Sequence, residues 1–64
     1  MISIKDAKTG LTTGTIELLP SGQVVCDGVA RSFRDTPYGS SMSGDDFYSH
    51  YRLWSSGYMF SEET

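Results

Sequence analysis

The sequence predicts an α+β domain in which a short antiparallel β-meander carries one C-terminal amphipathic helix on its apolar face. Three observations carry that expectation. The first half of the chain is rich in β-branched residues broken by turn clusters, and the second half holds an aromatic stripe at helical spacing. Two independently chosen turns also place one apolar set on a single sheet face.

The meander is expected over about residues 2–33, with three or four strands. Ile2 and Ile4 alternate with polar residues, and Asp6-Ala7-Lys8-Thr9-Gly10 reads as a turn. Thr12 to Leu19 is a β-branched run. Pro20-Ser21-Gly22 combines the fixed φ of proline with a glycine able to take positive φ, the chemistry of a type I turn closing into a bulge. Asp27-Gly28, between Val24-Val25-Cys26 and Val29-Ala30, carries the dipeptide of a two-residue hairpin. The first turn sets Leu18 opposite Val24 and Ile16 opposite Cys26; the second sets Cys26 opposite Val29. Together they put Ile16, Leu18, Val24, Cys26, Val29 and Phe33 on one face and leave Glu17, Gln23, Asp27 and Ser32 on the other.

Residues 34–44, with Pro37, Gly39, Gly44 and several hydroxyl residues, read as a loop linking sheet to helix. Ser43 is placed as an N-cap, with Asp45 and Asp46 favoured by the positive end of the helix dipole. Phe47, Tyr51 and Trp54 then recur at i, i+4 and i+7, predicting a helix over about 44–56. Gly57 suits its left-handed C-terminal cap, with Tyr58 folding back on Leu53. Residues 61–64 read as a solvated acidic tail.

The chain has 64 residues, enough for one small domain. A chain of this size buries only about 60% of the surface its unfolded form exposes. Cys26 is its single cysteine, so neither an internal disulfide nor a CxxC zinc site can supplement a thin core. The longest apolar runs are a few residues, which predicts no membrane span, and a cytoplasmic location is the default expectation. A net charge of −3, with five basic residues that form no run, argues against duplex nucleic acid.

Chemical motifs are weak. His50 is the only histidine, and Asp46 four residues earlier could orient its ring, but Ser40, Ser41 and Ser43 form no nucleophile elbow. As a helix-surface pair, Asp46 and His50 need no chemistry. They also lack the third ligand that a transition metal requires. Gly39-Ser40-Ser41-Met42-Ser43-Gly44 lacks the Lys-Ser/Thr ending of a phosphate loop, and the two aspartates after it repel anions. No enzyme activity and no cofactor are expected.

The aromatic residues are the most informative feature, with six of eight lying between positions 47 and 60. Phe47, Tyr51 and Trp54 are assigned to the core, while Tyr48 and Leu53 fall on opposite flanks of their stripe. Tyrosine, methionine and arginine outside a core are enriched at protein interfaces. The expectation is therefore a small acidic protein-interaction module: a regulator, inhibitor or accessory subunit. Its interface candidates are Tyr38, Tyr48, Arg52, Leu53, Tyr58 and Met59, and its partner is another protein or a second copy. The strand at residues 2–5 is expected at a sheet edge, as a second surface for strand pairing. The alternatives are a homo-oligomeric structural protein and, behind it, a small-ligand or single-stranded nucleic-acid binder. Against the last, the strands carry almost no aromatic rings on which bases could stack.

Overall fold

A computed structural model of the chain describes residues 1–54 and 57–62. It is an α+β fold in which β1 (Ile2–Asp6), β2 (Thr12–Leu18), β3 (Val24–Gly28) and β4 (Tyr58–Glu62) form one antiparallel sheet in the order β3-β2-β1-β4. Three short helices, α1 (Val29–Arg34), α2 (Pro37–Ser41) and α3 (Gly44–His50), lie between β3 and β4, and a 3₁₀ turn over Tyr51–Trp54 continues α3. A shortest dimension of 15 Å fits two layers: one sheet and one layer of helices.

The first two turns form as their residues dictate. The Asp6 carboxylate accepts from the backbone N–H groups of Lys8 and Thr9 at 2.7 and 3.3 Å, and the Gly10 N–H donates to the Asp6 carbonyl. At the second turn, the Gly22 N–H donates to the Leu19 carbonyl at 2.9 Å, with Pro20 and Ser21 at the corners and Gly22 at φ 89°. The register follows: Leu18 pairs with Val24 and Ile16 with Cys26, as the turn length requires.

The Asp27-Gly28 hairpin does not form. Gly28, at φ 64° and ψ −134°, ends β3 and starts α1, and the chain leaves the sheet there. It can do so because Gly28 lies directly against the Thr13 carbonyl and the Cα of Gly14, its cross-strand partner, where no Cβ fits. Val29, Ala30 and Phe33 then fall at helical rather than strand spacing: Ala30 is buried in the core, with Val29 and Phe33 packed against it. The meander therefore covers three strands and ends at Gly28; the fourth strand comes from the other end of the chain.

The segment expected as a loop over 34–44 contains α2. Thr36 caps it, accepting from the Gly39 N–H at 3.0 Å, and Pro37 occupies the first turn, where its missing N–H costs nothing. Arg34 ties this corner together. Its guanidinium donates to the carbonyls of Gly39 and Met42 at 2.6 and 3.0 Å and lies 5.1 Å from the centroid of the Phe47 ring.

Ser43 caps α3 as expected, accepting from the Asp46 N–H at 3.2 Å. The helix is shorter than its pattern suggests, ending at His50 before the 3₁₀ turn; positions 55 and 56 of the expected span lie outside the described residues. In a 3₁₀ turn residues i and i+3 eclipse, so Tyr51 and Trp54 still share one side. Phe47 is fully buried, Tyr51 is buried, and Trp54 packs against the same core.

The strand containing residues 2–5 is not an edge: β1 is central, with β2 on one side and β4 on the other. Ser61 and Glu62, expected in a tail, belong to β4, opposite Ser3 and Ile2; Glu63 and Thr64 lie outside the described residues. The centre of the core is accordingly Ile2, Ile4 and Ile16 beneath Phe47, Ala30 and Tyr51.

Candidate functional site

The aromatic residues divide into an inner group and an exposed one, and the elements that carry them decide which is which. Tyr51 sits at the junction of α3 and the 3₁₀ turn, its ring edge-on to Phe60 of β4 at 4.8 Å. Around it lie two of the interface candidates. Tyr48, one turn earlier on α3, is half-buried, with its ring 6.5 Å from that of Tyr51. Arg52 is exposed; its Nε donates to the Tyr51 hydroxyl at 3.2 Å, and its guanidinium carbon lies 5.6 Å from the ring centroid. Burial pushes the Tyr48 phenol above its ordinary value, and the Glu62 carboxylate adds to the shift, which places Tyr48 within electrostatic reach of β4.

Tyr38 and Leu53 form the more exposed part. Tyr38, on α2, is 70% exposed, and its ring tilts against that of Trp54 at 5.4 Å. Leu53, immediately before Trp54, is 75% exposed. Trp54, against which Tyr38 rests, is half-buried, and its indole N–H is buried with no hydrogen-bond partner among the described residues. The Leu53–Tyr58 contact of a helix cap does not form: Tyr58 is in β4 and packs edge-on against Phe33 at 6.0 Å.

The candidates are therefore not one surface. Tyr38 with Leu53, and Tyr48 with Arg52, belong to the helical layer, and Tyr58 points toward that layer from β4. Met59 alternates to the opposite face of the sheet, where it is 51% exposed beside Lys5 of β1. That face also carries Ser3, Thr15, Glu17, Val25, Asp27 and Ser61 by register, with no aromatic ring among the described residues.

The residues considered for chemistry lie apart from these. The His50 ring bonds through Nδ1 to the backbone carbonyl of Asp46 at 2.8 Å, so Asp46 holds the ring through its main chain. Ser43 is used as a cap, while Ser40 and Ser41 donate to the carbonyls of Pro37 and Tyr38 within α2. Cys26, on the helix-covered face of β3, is half-buried, and burial raises its thiol above the ordinary value. No group of three or more potential metal ligands occurs among the described residues. Among the described residues, no helix is long and apolar enough to cross a membrane.

Sequence reasoning did not find Trp54 as the support of the exposed Tyr38 ring, because a residue at i+7 of an apolar stripe reads as core. Nor did it find β4, whose alternation of Tyr58 and Phe60 is a strand signal overshadowed by the expected helix cap. No family model, curated protein or solved structure matches the chain.

Proposed function

We propose that the protein is a small acidic interaction module that binds another protein through its helical layer, in a cytoplasmic setting and without catalysis. One observation carries the reading: Tyr38, 70% exposed, holds its ring 5.4 Å from that of Trp54, and Leu53, 75% exposed, adjoins that tryptophan in the chain. Such an arrangement resembles the centre of an interface, where a few large side chains dominate the binding free energy. The Tyr38 ring is already positioned by its contact with Trp54, which reduces the ordering cost on binding. Arg52 and Tyr48, arranged around Tyr51, supply the polar flank.

The test is a tagged protein carrying Tyr38→Ser and Leu53→Ser together, compared with wild type in quantitative capture from the native lysate. Both side chains are exposed, so circular dichroism should change little, and loss of the Tyr38–Trp54 ring contact should lower the melting temperature by only a few degrees. The expected result is one stoichiometric protein retained by the wild type and reduced at least about tenfold by the double substitution. Equal retention by both, or no stoichiometric protein with either, would refute the reading. Tyr48→Ala is a poorer probe, since Tyr48 is half-buried against Tyr51 and its loss also costs packing.

A further inference from the structure

We infer that the free edge of β4 pairs with the β4 edge of a second copy of the chain, joining two four-stranded sheets into one continuous antiparallel sheet. The inference goes beyond the reading of the helical layer as an interface: it concerns the backbone of β4 rather than the Tyr38–Leu53 patch.

The direction of the outer backbone groups follows from one hydrogen bond. The Ala7 N–H donates to the Gly57 carbonyl at 3.1 Å, one step beyond the Asp6–Tyr58 pair of the β1–β4 ladder. In an antiparallel ladder, hydrogen-bonded and non-hydrogen-bonded pairs alternate. Lys5–Met59 and Ser3–Ser61 are then the bonded pairs, and the N–H and C=O groups of Tyr58, Phe60 and Glu62 point away from β1. The Asp6 N–H donating to the Leu11 carbonyl gives the same parity on the other side of β1.

The two edges of the sheet are not equivalent. On β3, the Leu19 N–H donating to the Gln23 carbonyl sets Val24, Cys26 and Gly28 facing outward by the same alternation. That edge is obstructed at both ends. The first residue of α3 lies across its start, so close that a Cβ on Gly44 would stand 2.9 Å from the Val24 nitrogen. At its other end the chain turns out of the sheet into α1. On β4, the one extensive neighbour among the described elements is β1. The strand Tyr-Met-Phe-Ser-Glu has no proline, no lysine and no register shift, three of the devices that keep a free edge from pairing, and its one charge is Glu62.

A second copy fits this edge in one register above the others. Outward-facing residues must pair with outward-facing residues, and a two-fold axis through Phe60 satisfies this along the whole strand. Phe60 then faces Phe60 of the second copy, and Tyr58 faces Glu62, exchanging about six hydrogen bonds over three pairs. The like charges stay apart. The two Glu62 carboxylates are displaced by four residues, about 14 Å along the strands. Each instead lies across from a tyrosine, whose hydroxyl is a donor. The half-exposed flank of Phe60 gains an aromatic neighbour, and on the other face Met59 gains Ser61. A partner strand of unrelated sequence has no such constraint on where its charges fall.

The experiment is sedimentation velocity from low to several hundred micromolar protein. It compares the wild type with Glu62→Pro, which deletes an outward donor and leaves the β1-facing groups of Met59 and Ser61 intact. A chemically synthesised chain with an N-methylated Phe60 amide deletes another outward donor without altering any side chain, and stands in if the proline variant does not fold. The expected wild-type species at high concentration has twice the 7.1 kDa chain mass. Each edge variant should raise the dimer dissociation constant at least about tenfold, since a two-fold interface loses two hydrogen bonds at once. Tyr38→Ser with Leu53→Ser should leave it unchanged. A wild type that stays monomeric throughout, or a dimer indifferent to both edge changes, overturns the inference. Neither result bears on capture of a partner through Tyr38 and Leu53, so the two readings fail separately.

Discussion

Replacing Gly28 with alanine tests the strand-to-helix exit on which the whole helical layer depends. Two costs coincide there. The backbone at φ 64° and ψ −134° lies in a region that residues with a Cβ rarely adopt, and an added Cβ would press on the Thr13 carbonyl and the Gly14 Cα. Other glycines separate the two. Gly10, at φ 73° with nothing within 4 Å of an added Cβ, incurs only the backbone cost, about 1 kcal/mol. Gly14 has an ordinary φ, but its Cβ would stand 2.7 Å from the Asp27 carbonyl oxygen, so it incurs only crowding, about 1–3 kcal/mol. Gly28→Ala combines both, for about 3–5 kcal/mol. A chain of 64 residues has about 3–10 kcal/mol to lose. Thermal unfolding followed by far-ultraviolet circular dichroism should therefore show Gly10→Ala melting about 4–8 °C below wild type, and Gly28→Ala at least about 12 °C below it or unfolded. Because Gly14 and Gly28 face each other, the double alanine variant should not be additive. A Gly28→Ala protein that melts with Gly10→Ala would refute the close approach of β2 and β3, and with it the reason the chain turns into α1 there.

Arg34→Met, which keeps length but removes the donors, should cost about 1–3 kcal/mol in urea unfolding, because the Met42 carbonyl loses the guanidinium and the Gly39 carbonyl keeps only the Met42 N–H at 3.3 Å; Arg34→Lys should recover less than half of it, since one ammonium does not reproduce the planar guanidinium over Phe47. Stability should decline as pH rises through and beyond the ordinary thiol value of 9.0: burial raises the Cys26 pKa in the folded state, Arg34 opposing and Asp27 and Asp35 adding, so only the unfolded chain ionises readily. The contribution is complete below that pH and is lost above it; Cys26→Ala should flatten part of the decline in urea titrations at successive pH values, and an identical slope in both proteins would exclude Cys26 as a source.

What was legible in the sequence depended on how many independent signals met at a residue. Pro20-Ser21-Gly22 fixed a loop length, and the length fixed the register of Ile16 and Leu18 against Cys26 and Val24. Ser43 and the two aspartates marked a helix start that the aromatic stripe then confirmed. Asp27-Gly28 carried only one signal, and it is ambiguous, since a glycine with positive φ serves a hairpin and a strand exit equally well. What resolves it is the residue spacing that follows, Ala30 to Phe33, and the β-branched Val29 conceals that. Thr36 before Pro37 was a readable cap, obscured by the glycine and serines around it. The position of β1 was not readable at all. Ile2 and Ile4 become the centre of the core only because β4 returns to cover their flank, and nothing local to residues 2–6 specifies a partner some fifty-five positions away. The interface candidates shared this limit: an exposed tyrosine and a buried one look alike until the layer that covers them is placed.

The pairing of Ile2 with Glu62 joins strands far apart in the sequence, and that has a kinetic consequence. The β1-β2-β3 meander is built from local turns and can form early, whereas docking of β4 must close a loop spanning nearly all of the sequence. Until it does, β1 presents an unpaired row of backbone groups beside the most apolar side chains of the fold. The vulnerable moment for this protein is thus an intermediate in which β1 has briefly become an edge. A covalent cross-link between facing residues of β1 and β4 should speed that last step and suppress aggregation during refolding.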